Sequence, residues 1–211
     1  MTMTSALDAL DHLRDGNRRF VSDDLGGNTL TIQARRSELL AGQEPLAIVL
    51  GCSDSRVPAE IIFNQGIGDL FVIRVAGNVV ASSQLGSVEF AAERYGTRLV
   101  VVLGHSMCGA ILATLEELER RTESRSPNLR AIVDLIRPSV KMLLHTEGSQ
   151  NPNTLMRNAV RANIRTSANR LRHGSSILEQ MIQRDGLLVV GAEYSLQTGV
   201  VDFFDGVPET G

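Results

Sequence analysis

The chain has 211 residues, 43% hydrophobic and 21% charged, ordinary proportions for a globular protein long enough to bury a core. Its formal net charge of −3 gives no electrostatic reason to expect nucleic acid or an anionic membrane as partner, and it offers no run of about 18 apolar residues to span a bilayer. Two cysteines are too few for a disulfide framework, and the opening MTMTSALDALDHLRDGNRRF lacks the apolar centre of a signal peptide, so a reduced cytoplasm is the expected compartment.

Residues 1–40 read as two amphipathic helices with GGN (26–28) between them. Four short, β-branched-rich runs follow: LAIVL (46–50), LFVIRV (70–75), LVVVL (99–103) and LLVV (187–190). They do not alternate, which is how strands covered on both faces read. Helical periodicity falls between them, over 83–95, 110–119 and, despite Pro138, 128–145. GSQNPN (148–153) reads as a loop before a helix that Gly174 stops, with Arg172 and His173 in its last turn. LLVVGAEYSL and TGVVDFF read as a closing hairpin. The expected class is α/β: a mainly parallel sheet of four strands plus an antiparallel edge strand, flanked by helices, with an N-terminal helical arm. One domain is expected over 1–211, with 1–40 as the arm and 45–211 as the α/β core.

Chemistry concentrates in two loops. GCSDSRVP (51–58) follows the first strand and carries Cys52, Asp54 and Arg56; GHSMCGA (104–110) follows the third and carries His105 and Cys108. Loops at the carboxyl ends of neighbouring parallel strands share one crevice, where ligands bind in open α/β sheets. H-x-x-C is a spacing at which one metal ion takes two ligands, and a Cys2His set with one open position is a type of catalytic zinc site. Cys108 also opens a helix, whose free N–H groups favour thiolate. Taken alone, H-x-x-C does not specify a metal, and buried unpaired cysteines are common in cytosolic proteins. A Cys52–Cys108 disulfide is a third reading, disfavoured by a reducing compartment. Arg157, Arg161 and Arg165 form an i, i+4 row, read as a solvated or subunit-facing side rather than an anion site, since Lys141 is the only lysine and arginine rows are cheap here.

C-S-D-S-R after one strand with G-H-x-x-C-G after another resembles the β-class carbonic anhydrases. The likeness extends to L-x-x-G-N-x-R-F (13–20), PAEIIFNQGIGDLFVIRVAGN (58–78), SVEFA (87–91) and VVGAEYSLQTGVV near the end; residues 120–153 carry none of it. The resemblance implies one zinc ion per chain on Cys52, His105 and Cys108. It implies reversible hydration of carbon dioxide to bicarbonate and a proton, by a zinc-bound hydroxide available because the metal lowers its water's pKa towards about 7. Asp54 would orient that hydroxide and Arg56 would keep Asp54 ionised and off the metal. Asp54 is then expected to act as a switch between Arg56 and the metal. Gln65 matches a glutamine that donates to a substrate oxygen, and Phe71, Val72 and Val79 are candidates for an apolar wall. A homodimer or homotetramer is implied, with the N-terminal helices reaching over a neighbour.

Some bacterial relatives carry a bicarbonate-regulated site built on Trp, Arg and Tyr. Arg74 and Tyr194 match two of these, but Val49 stands where the Trp would be, so that site is expected to be absent or weak. Two other functions stay open. One is hydrolysis of carbonyl sulfide or carbon disulfide on the same scaffold; the other is a catalytically idle, zinc-stabilised binding module, against which the Asp54–Arg56 pair argues. A thiol-redox protein would want C-x-x-C instead.

Overall fold

The computed structural model describes residues 4–24, 32–120, 126–146 and 151–208. Strands β1 (Ala47–Gly51), β2 (Leu70–Arg74), β3 (Leu99–His105) and β4 (Leu188–Tyr194) run parallel, and β5 (Val201–Asp205) pairs antiparallel with β4. Their order is β2-β1-β3-β4-β5, so the chain leaves β1 for β2 on one side and returns to β3 on the other. That reversal opens a crevice at the carboxyl ends of β1 and β3.

β1 and β3 are buried along their whole length, which is why their sequences show no alternation. Their side chains still divide with a period of two. Ile48, Leu50, Val100 and Val102 enter one core; Val49, Val101 and Leu103 enter the other. The first core is covered by α4 (Ser82–Arg94), α5 (Gly109–Arg120), α6 (Pro127–Val140), α7 (Pro152–His173) and α8 (Ser176–Arg184). The second is covered by α1 (Ala6–Val21) and α3 (Ala59–Ile62), while α2 spans Ile32–Glu38. The surface that amphipathic α1 requires therefore lies on its own chain: Leu10 and Leu13 are buried there, each worth about 2 kcal/mol.

The L-x-x-G-N-x-R-F motif explains this docking. A Cβ at Gly16 would overlap the Phe63 carbonyl oxygen, so only glycine lets α1 approach the end of α3. Asn17, next along and buried, donates from Nδ2 to the carbonyls of Ile62 (3.2 Å) and Gly199 (2.9 Å). Its Oδ1 accepts the Val201 N–H at 2.9 Å. One side chain thus ties α1, α3 and the β4–β5 hairpin, at about 1 kcal/mol net per bond.

Several boundaries differ from expectation. The helix predicted over 128–145 is α6, which carries Pro138 within it, followed by a 3-10 turn, Lys141–His145. α7 starts at Pro152, inside the predicted loop, because proline suits a first helical position and Asn151 Oδ1 caps it by accepting the N–H groups of Asn153 and Thr154. α3 and α8 carry no prediction. The GGN turn at 26–28 and residues 148–150 of the predicted loop lie outside the described residues. Among the described residues, no helix is long and apolar enough to cross a membrane.

Candidate metal centre

Cys52 is the first residue beyond β1, His105 is the last of β3, and Cys108 immediately precedes α5. Gly51 pairs with Leu103, so the two loops leave the sheet at adjacent levels. Met107, with a φ of 55° in the left-handed region, turns the chain sharply between His105 and Cys108. The Cys52 and Cys108 sulfurs lie 3.9 Å apart, and the ligand atoms of Cys52, His105 and Cys108 all fall within 4.8 Å of one another. All three residues are buried.

The histidine is prepared as a ligand. Its Nδ1 sits 2.9 Å from the Ser106 carbonyl, which can only accept, so Nδ1 carries the proton and Nε2 presents a lone pair. That Nε2 is buried with no hydrogen-bond partner, a situation that costs about 1–3 kcal/mol unless something satisfies it. Asp54 Oδ2, at 3.8 Å, is too distant to do so. A cation held by two sulfurs and this nitrogen would. Ser106 is fixed in turn: its N–H donates to the Tyr194 carbonyl and its hydroxyl oxygen accepts the Leu196 N–H. Each histidine ligand of a metal needs such an orienting partner.

The two thiols are electrically unequal. With the shared S–H on Cys108, the Cys52 thiol is pushed down; burial opposes this, while the N–H groups at Asp54 and Gly77 assist. Cys108 moves the other way, because it holds that shared proton and a second anion beside Cys52 is unfavourable. The pair therefore keeps one proton that a divalent ion would displace. The Gly77 N–H points at Cys52 Sγ from 3.3 Å.

Asp54 and Arg56 stand at the rim. Arg56 donates to Asp54 through its backbone N–H (3.0 Å) and Nε (2.9 Å) on Oδ1 and through Nη2 (2.8 Å) on Oδ2. This bidentate grip holds the Asp54 carboxyl well below the usual range. Arg74 sets the loop itself, donating to the carbonyls of Cys52 (3.1 Å) and Asp54 (2.6 Å). Arg74 acts on the site from outside both motifs, and Ser106 does so from an unspecified position within the second. Val49 faces the second core and Tyr194 is buried, its phenol pushed up by burial.

The other candidates lie elsewhere. Gln65 Nε2 donates to the Phe63 carbonyl at 2.8 Å, and no hydrogen bond joins it to the cysteine–histidine group among the described residues. Phe71 packs with Phe90 and Tyr95, whereas Val79 shares the first core with Cys52 and Cys108 and Val72 packs on the second. The arginine row is largely neutralised. Arg161 pairs with Glu193 and Asp202, Arg165 with Asp205, and both guanidiniums stack over Phe204. Arg157 lines a cavity of about 420 Å³ with Ser106 and Met107.

Comparison with known proteins gives a consistent picture. The carbonic anhydrase family profile matches residues 47–201. Carbonic anhydrase 2 of Mycobacterium tuberculosis is 37% identical over 199 residues, 94% of this chain and 93% of that protein. The carbonic anhydrase of Mycolicibacterium smegmatis is 47% identical over 128 residues, 61% of each chain. Among solved structures, the β-carbonic anhydrase CcaA gives a TM-score of 0.74 at 25% identity, covering 95% of this chain and 92% of that one. A tetrameric β-carbonic anhydrase of Sordaria macrospora gives 0.72 over 93% and 97% at 20% identity, which speaks for the fold alone.

Proposed function

Because this chain belongs to the β-carbonic anhydrases, a family of lyases, we propose that it hydrates carbon dioxide reversibly to bicarbonate and a proton, with one zinc ion on Cys52, His105 and Cys108. The observation that carries the assignment is the buried, unpartnered Nε2 of His105 facing two sulfurs at ligand distance from each other. The donor set favours zinc, a borderline-soft ion that takes thiolate and imidazole and keeps a fourth position open in catalytic sites. Zinc, when bound, supplies a water acidic enough to ionise near neutral pH.

The remaining work falls to the chain. Arg56 occupies both carboxylate oxygens of Asp54 and so keeps that carboxylate from turning inward as a fourth ligand. Asp54 stays ionised, with lone pairs to accept a hydrogen bond from the attacking water, and it has no proton to return at neutral pH. It therefore orients the nucleophile towards the carbon of the substrate without neutralising it. Detachment of Asp54 from Arg56 would let it close the site, the switch expected for this loop. The Gln65 amide keeps a second N–H for a substrate oxygen. A homodimer or homotetramer belongs to the same proposal. Free thiolate ligands suit a reducing cytoplasm. We read residues 1–211 as one functional unit.

Metal analysis with stopped-flow hydration of carbon dioxide across alkaline pH tests the proposal, and carbonyl sulfide is run as a parallel substrate. Stoichiometric zinc with carbon dioxide turnover is expected. Turnover of carbonyl sulfide alone reassigns the substrate, and zinc without turnover leaves a binding module.

A further inference from the structure

We propose that Asn163 is a positioning residue for this centre, fixing the sulfur of Cys52 through Gly77; this rests on the reading of Cys52, His105 and Cys108 as metal ligands. Asn163 lies on α7, far from either motif, and is buried at 1% exposure. Its Nδ2 donates to the Gly77 carbonyl at 2.7 Å, and the Gly77 N–H donates to Cys52 Sγ at 3.3 Å. Two consecutive hydrogen bonds therefore join α7 to a metal ligand.

The turn between them needs holding. Gly77 and Asn78 both have positive φ, 71° and 44°, in the left-handed region that costs most residues energy. A Cβ at Gly77 would come within 2.8 Å of Ile136 Cδ1 and 3.2 Å of Ala110 Cβ, and the positive φ would strain any side chain there. The Val75 carbonyl takes the Asn78 N–H at 3.1 Å and anchors the turn's base. The peptide planes flanking Gly77 have no sheet partner. Clamping its carbonyl from Asn163 sets the orientation of the residue and hence the aim of its N–H. An N–H aimed at a ligating thiolate withdraws charge from sulfur and fixes its direction, the office of outer-shell partners in metal sites.

The accounting of polar atoms supports a donor's role over mere packing. Asn163 Oδ1 is buried without a partner, while Nδ2 is engaged. An apolar residue would fill the same space without that cost, so the donor is what the site uses. Asn17, a buried amide with both atoms satisfied and no bond to the metal ligands, is the natural control.

The experiment compares wild type, Asn163→Leu, Asn163→Ala and Asn17→Ala. Zinc affinity is read by chelator competition, and the sulfur-to-metal charge-transfer band is read in cobalt-substituted protein. Either Asn163 variant should weaken zinc binding about tenfold and shift the band, whereas Asn17→Ala should lower the melting temperature and move neither. In wild type, the Gly77 amide should exchange slowly and its resonance should move when cadmium replaces zinc. Asn163 variants with wild-type zinc affinity and an unshifted band overturn the inference and leave the metal site standing. Should neither variant fold, a Gly77 amide that exchanges freely and ignores the metal overturns it as well. Wild-type protein that binds no zinc overturns both readings together.

Discussion

Asn17 and His105 are both buried polar residues that join distant segments, yet their surroundings differ in kind. Around Asn17 the side-chain nitrogen and oxygen both find backbone partners, from α3 and from the hairpin. Around His105 one ring nitrogen is satisfied and the other is left bare beside two thiols. The first corner folds for its own sake and closes its hydrogen bonds. The second is complete only with something added. A bare ring nitrogen buried beside two thiols is thus a pointer to chemistry, and an amide with both atoms satisfied is a pointer to architecture.

The sharpest way to break this contrast is at the second corner. Cys108→Ser should abolish both stoichiometric zinc and carbon dioxide hydration while the protein stays folded by circular dichroism; retained turnover would dissolve the distinction. Asp54→Asn should keep zinc and lose turnover by about a hundredfold, since a water left unaimed by a small displacement loses that much; stopped-flow rates on metal-replete protein decide. At the first corner the effects should reverse. Gly16→Ala should cost roughly 3 kcal/mol, because the Phe63 carbonyl cannot retreat without moving α3, and the protein that remains folded should carry full zinc. Asn17→Ala should cost roughly 2 kcal/mol by leaving the Val201 N–H and two carbonyls unpaired, again with zinc unchanged; denaturant melts measure both.

The smallest expected effect is in pH. Arg56 holds the Asp54 carboxyl below its ordinary range of about 4, so the folded state binds this proton less tightly than the unfolded chain. The pair's stabilisation is then full above about pH 5 and is lost only as pH falls through the depressed folded value. The stability gap between wild type and Asp54→Asn should be flat from about pH 5 to 8 and narrow in acid. A gap that changes near neutrality would mean that Asp54 leaves Arg56 there.

The sheet was readable because β1 and β3 are covered on both faces, leaving unbroken apolar runs. α3, at four residues, is too short for a helical period to register. α8 had a signal in the Ser175 cap, whose hydroxyl accepts the Leu178 N–H. The same division holds at the site. Cys52, His105 and Cys108 are legible because ligand type and strand-end position are both written locally. Arg74, Ser106 and Asn163 are not, because they act through backbone carbonyls, and a carbonyl is present at every residue. Nothing in the spacing of such contacts selects one partner over another.

One consequence follows from the register that sets Gly51 against Leu103. A metal bridging Cys52 and Cys108 closes a loop of 56 residues, the kind of cross-link that in a floppy chain would dominate stability. Here the ladder between β1 and β3 has already brought those ends together, so the entropy of closure is spent before any ion arrives. The apoprotein should accordingly stay folded after chelation, its melting point lowered only modestly, unlike small domains that collapse without their zinc.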